Sequence, residues 1–384
     1  MIESQPQINS TFQFEILYQS KHSQARVGRI HTPHGIIDTP NFVAVGTNGT
    51  LKALPNHWLD ELGLQLMFCN TYHLLVQPGT EVIQQAGGLH NFIQRKRPII
   101  TDSGGFQVFS LAYGGIANEL KSKGTKKYTG SVLKITEEGV VFRSYFNGEK
   151  ICLTPESSVQ AQKAFGADII IPLDELTPYH ISDEALLDSF KRTHRWELRS
   201  LAEHRKNPNN QAMYSVIHGG IHPELRHKSC EILDNADFDG HAIGGSLGKN
   251  ITELYATVQT TTPKLSPEKP RHLLGIGDLP SIDQCVPLGI DTFDSAYPTR
   301  SARHGVLFSF DGPIKIDRQI HRFEHFPVDK DCHCHLCQNY TRAYLYHLFK
   351  AKEPTAMLLA STHNVAFMMR RMESYRNQIL SGLI

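Results

Sequence analysis

The chain has 384 residues, 40% of them hydrophobic and 20% charged, enough apolar material for one large α/β domain with an appendage or for two domains. A formal net charge of +1 excludes a uniformly basic nucleic-acid coat, so a polyanionic partner would have to be held by local patches. No apolar run approaches the roughly 18 residues of a membrane span, and Met1 to Gln13 is polar without a basic-then-apolar signal, which predicts a soluble, cytoplasmic protein.

Short apolar runs ending in small or polar residues recur along the chain. They are Val43 to Gly46, Leu66 to Asn70, Ile99 to Asp102, Asp168 to Asp174, Tyr214 to His218, His241 to Gly244, His272 to Gly275 and Asp291 to Asp294. Continuous apolar strands with helix-length segments between them predict a parallel sheet covered on both faces. Eight such units favour a closed (β/α)8 TIM barrel, whose active site lies at the C-terminal strand ends. Asn70, Asp102, Asp174, His218, Gly245 and Asp294 fall there.

The pattern is interrupted by Gly139 to Phe146, Asn147-Gly148 and Glu149 to Leu153, which predicts an inserted β-hairpin with a type I′ turn. Thr154-Pro155-Glu156 then predicts a helix N-cap and first turn. Earlier, Phe109-Ser110-Leu111 predicts a helix start, and the basic, glycine-containing Lys121 to Lys127 predicts a mobile loop near the barrel mouth. Pro263 to Pro270 reads as a surface connection.

Seven cysteines suit no complete disulfide framework, and Cys69, Cys152, Cys230 and Cys285, each alone in an apolar context, are expected as reduced core residues. Cys332, Cys334 and Cys337 followed by His363 supply three thiolates and an imidazole, the donor set of a tetrahedral structural zinc. His333, His335 and His347 compete for the fourth position. Four protein ligands leave no open coordination position, so the metal is expected to staple structure and not to catalyse.

Asp102 stands at a strand end beside the Gly104-Gly105 turn, and Asp294 ends the last strand before Pro298-Thr299-Arg300. Two carboxylates at one barrel mouth suit covalent chemistry at an anomeric carbon, one attacking while the other handles the leaving group's proton. The residue types also fit acyl chemistry.

Phe68 to Leu74, Thr101 to Gln107, Ile135 to Val140, Leu173-Asp174-Glu175, Phe293-Asp294 with Pro298-Thr299-Arg300, and the CxCxxC set together resemble tRNA-guanine transglycosylases. The resemblance runs in order from about Phe14 to the C-terminus. It implies a barrel catalytic region over 14–310, with a zinc-binding subdomain and C-terminal helices over 311–384 packing on it. It further implies Asp294 as the nucleophile at C1′ of the wobble guanosine of tRNAs with a GUN anticodon (Asp, Asn, His, Tyr), and Asp102 as the general acid/base. Asp174, Ser103 and the backbone at Gly245 would contact the base, with Phe106 and Leu274 sandwiching its ring. The target guanine would have to leave the anticodon stack.

Arg300 and Arg303 match positions expected to help read the U-G-U context. Lys315, Arg318, Arg322, Arg342, Lys350, Lys352, Arg370 and Arg371 make the last quarter a basic face for phosphates. The resemblance also implies a homodimer.

Four positions depart from the bacterial pattern. His218 stands where glutamine is usual, and Ser246, Gly248 and Asn250 replace the usual leucine, valine and glutamate. His218 is still expected at the base O6 and N7 edge. Gly248 is expected to widen the pocket, and loss of the glutamate to disfavour an ammonium substituent. That predicts queuine in preference to 7-aminomethyl-7-deazaguanine as the incoming base. Two other readings stand beside this one. A non-catalytic, tRNA-binding accessory subunit is disfavoured by the retained Asp102 and Asp294, and a zinc-dependent hydrolase by the thiolate character of the metal set.

Overall fold

The structure is a computed structural model that describes residues 12–107, 109 and 132–384. Eight parallel strands close into a barrel in chain order: Asn41–Val45, Met67–Cys69, Ile99–Thr101, Ile169–Ile170, Ala212–Ile217, Gly240–Ile243, Arg271–Leu273 and Thr292–Ser295. The last pairs with the first, Phe293 opposite Phe42, which closes the ring. All eight coincide with the apolar runs singled out above.

Side chains alternate across each strand because its period is two residues. Val43, Phe68, Ile100, Ile169, Tyr214, Val216 and Ala242 fill one buried cluster, and Phe42, Met67, Ile99, Ile170, Met213, Ile243, Leu273 and Phe293 join another with the surrounding helices. Ile30 and Ile37 belong to the first cluster. They come from a three-stranded antiparallel sheet of Gln13–Gln19, Arg26–Thr32 and Gly35–Thr39, for which the sequence reading assigned no separate element. The sheet plugs the N-terminal end of the barrel, so polar and apolar residues mix along it and no long apolar run announces it. Arg26 donates to both oxygens of Asp291 (2.9 and 2.6 Å), a fully desolvated fork that ties this sheet to the base of the last strand.

The inserted hairpin is present as Val140–Arg143 paired with Lys150–Leu153, with Val132–Ile135 as a third strand. Its turn differs from the expected type I′. The loop runs over Ser144 to Glu149, and the Ser144 Oγ accepts from the backbone of Phe146 and Asn147. Gly148 has φ +73° but Asn147 is not left-handed, so the two-residue geometry is not formed. Alternation along Lys150–Leu153 buries Leu153 and leaves Cys152 exposed, against the expectation of a core thiol; Cys69, Cys230 and Cys285 are buried. Thr154 caps the Pro155–Phe165 helix as predicted, in a reciprocal box with Ser157. Helical backbone begins at Gly105, ahead of the predicted Phe109 start. The Lys121 to Lys127 loop lies outside the described residues.

Candidate active site

Asp102 follows the Ile99–Thr101 strand and is 6% exposed. Its Oδ1 accepts from the Thr71 backbone N–H (2.7 Å), and its Oδ2 from Asn70 Nδ2 and Gln107 Nε2 (both 2.8 Å). Burial pushes this carboxyl up to about 6, and the three donors offset only part of that rise. The adjoining glycine turn is required by crowding: Gly104 has φ +85°, and a Cβ on Gly105 would stand 2.7 Å from the Asp174 carbonyl oxygen.

Asp294 is 4% exposed at the end of the last strand. Its Oδ1 accepts from His272 Nε2 (3.0 Å) and from the Gly275 backbone N–H (2.6 Å), while Oδ2 accepts from no described residue. A carboxylate only accepts, so His272 carries its proton on Nε2, and its Nδ1 accepts from Thr292 Oγ1 at 2.9 Å. The arrangement anchors one oxygen and leaves the other for chemistry. Sequence reasoning missed His272; the signal was a polar residue opening the apolar run, three residues before Gly275.

His218 Nε2 donates to Asp174 Oδ2 (3.0 Å), and Ser103 Oγ lies 3.4 Å from Asp174 Oδ1. His218 therefore spends its expected base-facing donor on the neighbouring carboxylate. Its Nδ1 lies against Gly245, where φ is +71° and an added Cβ would come within 2.8 Å of that nitrogen. Phe106 is 44% exposed, and Leu274 is partly buried over the inner barrel cluster.

Two expectations about the neighbouring loop change. Gly248 opens no space, because at φ +108° an added Cβ would meet the Glu253 Cβ at 2.4 Å, so Glu253 fills that place. Nor is a carboxylate lost from the region. Asn250 caps the Ile251–Thr261 helix, and Glu253, three residues on, accepts from the Lys249 backbone (2.9 Å) and from Tyr179 Oη (3.2 Å). The Lys249 ammonium, 3.5 Å from Glu253, counters its charge.

Behind these residues a polar stripe on the Asp183–Lys206 helix holds the strand ends. Thr193 Oγ1 accepts from Glu175 N (2.9 Å), Ser200 Oγ from Leu173 N (3.3 Å), and Glu197 Oε2 from Val216 N (2.8 Å). Burial raises the Glu197 carboxyl well above its ordinary value, only partly offset by the Val216 N–H.

Cys332, Cys334, Cys337 and His363 are all buried, with donor atoms within 4.8 Å of one another. His363 Nδ1 lies 3.7 Å from Cys334 Sγ and 3.3 Å from Cys337 Sγ. The edge of a tetrahedron built on ordinary zinc–sulfur and zinc–nitrogen bonds is about 3.5 Å, so the set fits such an ion. The opposite ring nitrogen donates to the Phe308 carbonyl (2.8 Å), which fixes the tautomer that leaves Nδ1 free to ligate. His333, His335 and His347 are exposed and stand outside the cluster.

Arg300 is exposed and Arg303 half-buried on the Tyr297–Arg303 helix, which starts just after the strand that carries Asp294. Several expected phosphate contacts are spent internally: Arg342 pairs with Glu324, Arg370 with Asp329 and Arg371 with Asp283. Lys315, Arg318, Arg322 and Lys350 remain exposed.

A (β/α)8 barrel with two buried carboxylates at the ends of different strands, and a separate thiolate–imidazole set suited to a structural metal, fits a barrel enzyme of group transfer through a carboxylate pair, glycosyl or acyl. Queuine tRNA-ribosyltransferase is the family whose model matches residues 21–384. The chain is 63% identical to the queuine tRNA-ribosyltransferase of Protochlamydia amoebophila (strain UWE25) over 373 residues, covering 97% of this chain and 96% of that one. It is 57% identical to the enzyme of that name from Chlamydia felis (strain Fe/C-56) and 56% to that from Chlamydia caviae, each over 372 residues, 97% of this chain and 99% of the relative. The chain belongs to the queuine tRNA-ribosyltransferase family, and is thereby a pentosyltransferase acting in tRNA modification.

Proposed function

We propose that this enzyme exchanges the wobble guanine of tRNAs with a GUN anticodon for a 7-substituted 7-deazaguanine through a covalent aspartyl–ribose intermediate. The observation that carries the reading is the asymmetry of Asp294, one oxygen held by His272 and Gly275 and the other without a described partner. The free oxygen attacks C1′ as the bond to guanine N9 breaks, and Asp102, with its carboxyl held up to about 6, gives its proton to the departing base. Asp102 then takes a proton from the incoming base, whose nitrogen attacks C1′ and releases Asp294.

Asp174 accepts from the N1 and exocyclic amino edge, with Ser103, His218, Gly245 and Gly248 around the base and Phe106 and Leu274 against its ring. Arg300 and Arg303 hold the flanking nucleotides. The catalytic region spans 14–310 and the zinc unit 311–384, where one structural zinc per chain is held by Cys332, Cys334, Cys337 and His363 and contributes no catalytic step. The working form is a homodimer, in the cytoplasm where its tRNA is found.

Queuine is the favoured incoming base. The support is the neutralisation of Glu253 by Lys249, which leaves that loop without a net negative charge for an ammonium substituent, and not the Gly248 cavity first expected.

The test is to mix enzyme with a wobble-guanine tRNA, denature, and look for an adduct. The wild type yields a denaturation-stable protein–RNA species and Asp294→Asn yields none; equal adduct from both would sink the mechanism and favour a non-catalytic tRNA-binding role. Releasing the adduct with each base in turn tests the preference, which fails if the aminomethyl base exchanges at much the higher kcat/KM.

A further inference from the structure

Arg226, on the Pro223–Asp234 helix, is a fully buried guanidinium with no carboxylate partner among the described residues. Its Nε donates to the Gly220 carbonyl (2.8 Å), Nη1 to the carbonyls of Ile217 (2.6 Å) and Gly244 (2.8 Å), and Nη2 to that of Ser246 (3.0 Å). Burying a lone charge is expensive, and here carbonyl dipoles alone offset it. The acceptors come from two places in the chain, the end of the fifth barrel strand with its Gly219-Gly220 turn and the end of the sixth. A side chain that only needed satisfaction could have met one carboxylate.

The peptide unit is planar and trans, so its C=O and N–H point in opposite directions. Fixing Gly244 O onto Arg226 aims the Gly245 N–H away from the guanidinium, and fixing Ser246 O does the same for Leu247 N–H. Neither amide donates to an acceptor among the described residues. The Gly219 backbone is pressed on the same helix, where an added Cβ would stand 2.6 Å from Arg226 N.

We infer that Arg226 is a positioning residue for the incoming base: from beneath the pocket it sets the orientation of the Gly244–Leu247 backbone so that free amides meet the acceptor edge of a purine-like ring before any base arrives. The inference rests on the base-exchange reading above. Lysine cannot replace it, because a single ammonium cannot span four carbonyls of fixed spacing.

The experiment uses Arg226→Lys in the full-length enzyme. Adduct formation with tRNA comes first, because it reports the Asp294 chemistry independently of the incoming base. With adduct formed normally, KM for the incoming base should rise on the order of tenfold while KM for tRNA, which keeps its contacts along the anticodon arm, rises less. An unchanged base KM, or equal rises in both, overturns the inference, whereas loss of adduct in the wild type sinks the underlying reading instead. Should the variant not fold, backbone NMR order parameters of the wild type decide. The Gly244–Leu247 segment should be as rigid as the barrel strands in the free enzyme, and disorder there until base is added would overturn pre-orientation.

Discussion

Three donors surround Asp102 and none is charged, which is why they fail to restore an ordinary carboxylate. A cation in the place of Asn70 would have held the group ionised and useless as an acid at neutral pH. The linkage has a definite sign: an acid whose folded value is raised stabilises the fold relative to its ionised state only at low pH. From the ordinary 3.8 to about 6, the protein loses stability as pH climbs through that interval, by about 3 kcal/mol in total at 1.36 kcal/mol per unit. Thermal melts of wild type and Asp102→Asn from pH 4 to 7 should therefore show the gap moving in favour of the asparagine variant as pH rises. Parallel curves would mean that Asp102 titrates near its unfolded value.

At the scale of elements, the barrel strands were legible because burial on both faces makes them apolar and the polar residues ending them stand out. The two carboxylates proposed to carry the chemistry, Asp102 and Asp294, stand out for the same reason. What the sequence concealed are residues whose partners are backbone groups of other elements. Glu197 reads as one more charge on an amphipathic helix, and Arg226 as one more surface arginine, yet both are fully buried.

With burial disfavouring a charge there, Glu197→Gln keeps an acceptor for Val216 N–H and should cost less than about 1 kcal/mol. Glu197→Ala strands that N–H and should cost about 1–3 kcal/mol in chemical denaturation. A glutamine variant as unstable as the alanine one would show that the charge, not the hydrogen bond, matters.

Across the molecule, the Pro354–Leu380 helix joins two cores. Ala356, Leu359 and Ala360 pack with Cys332, Cys334 and Cys337, whereas Phe367, Met368, Met372, Tyr375 and Ile379 pack with the barrel's outer layer. His363 sits between the two groups. Removing the metal should then weaken the whole structure and not only its last quarter. Metal analysis of the purified protein should give one zinc per chain, and chelation or Cys337→Ser should lower the melting temperature while unfolding remains a single transition. Two separated transitions after chelation would show that the metal unit unfolds alone. This shared helix also explains why a boundary near residue 310, natural in the sequence, does not separate independent packing.

The stripe of Thr193, Glu197 and Ser200 bears on attempts to move specificity between relatives. These side chains bond only to the backbone N–H groups of Leu173, Glu175 and Val216, and so hold the strand ends that carry Asp174 and His218. Exchanging only pocket residues would install new side chains on an old foundation. A graft that carries the outer helix along with the pocket should transfer the donor's preference more fully than the pocket alone.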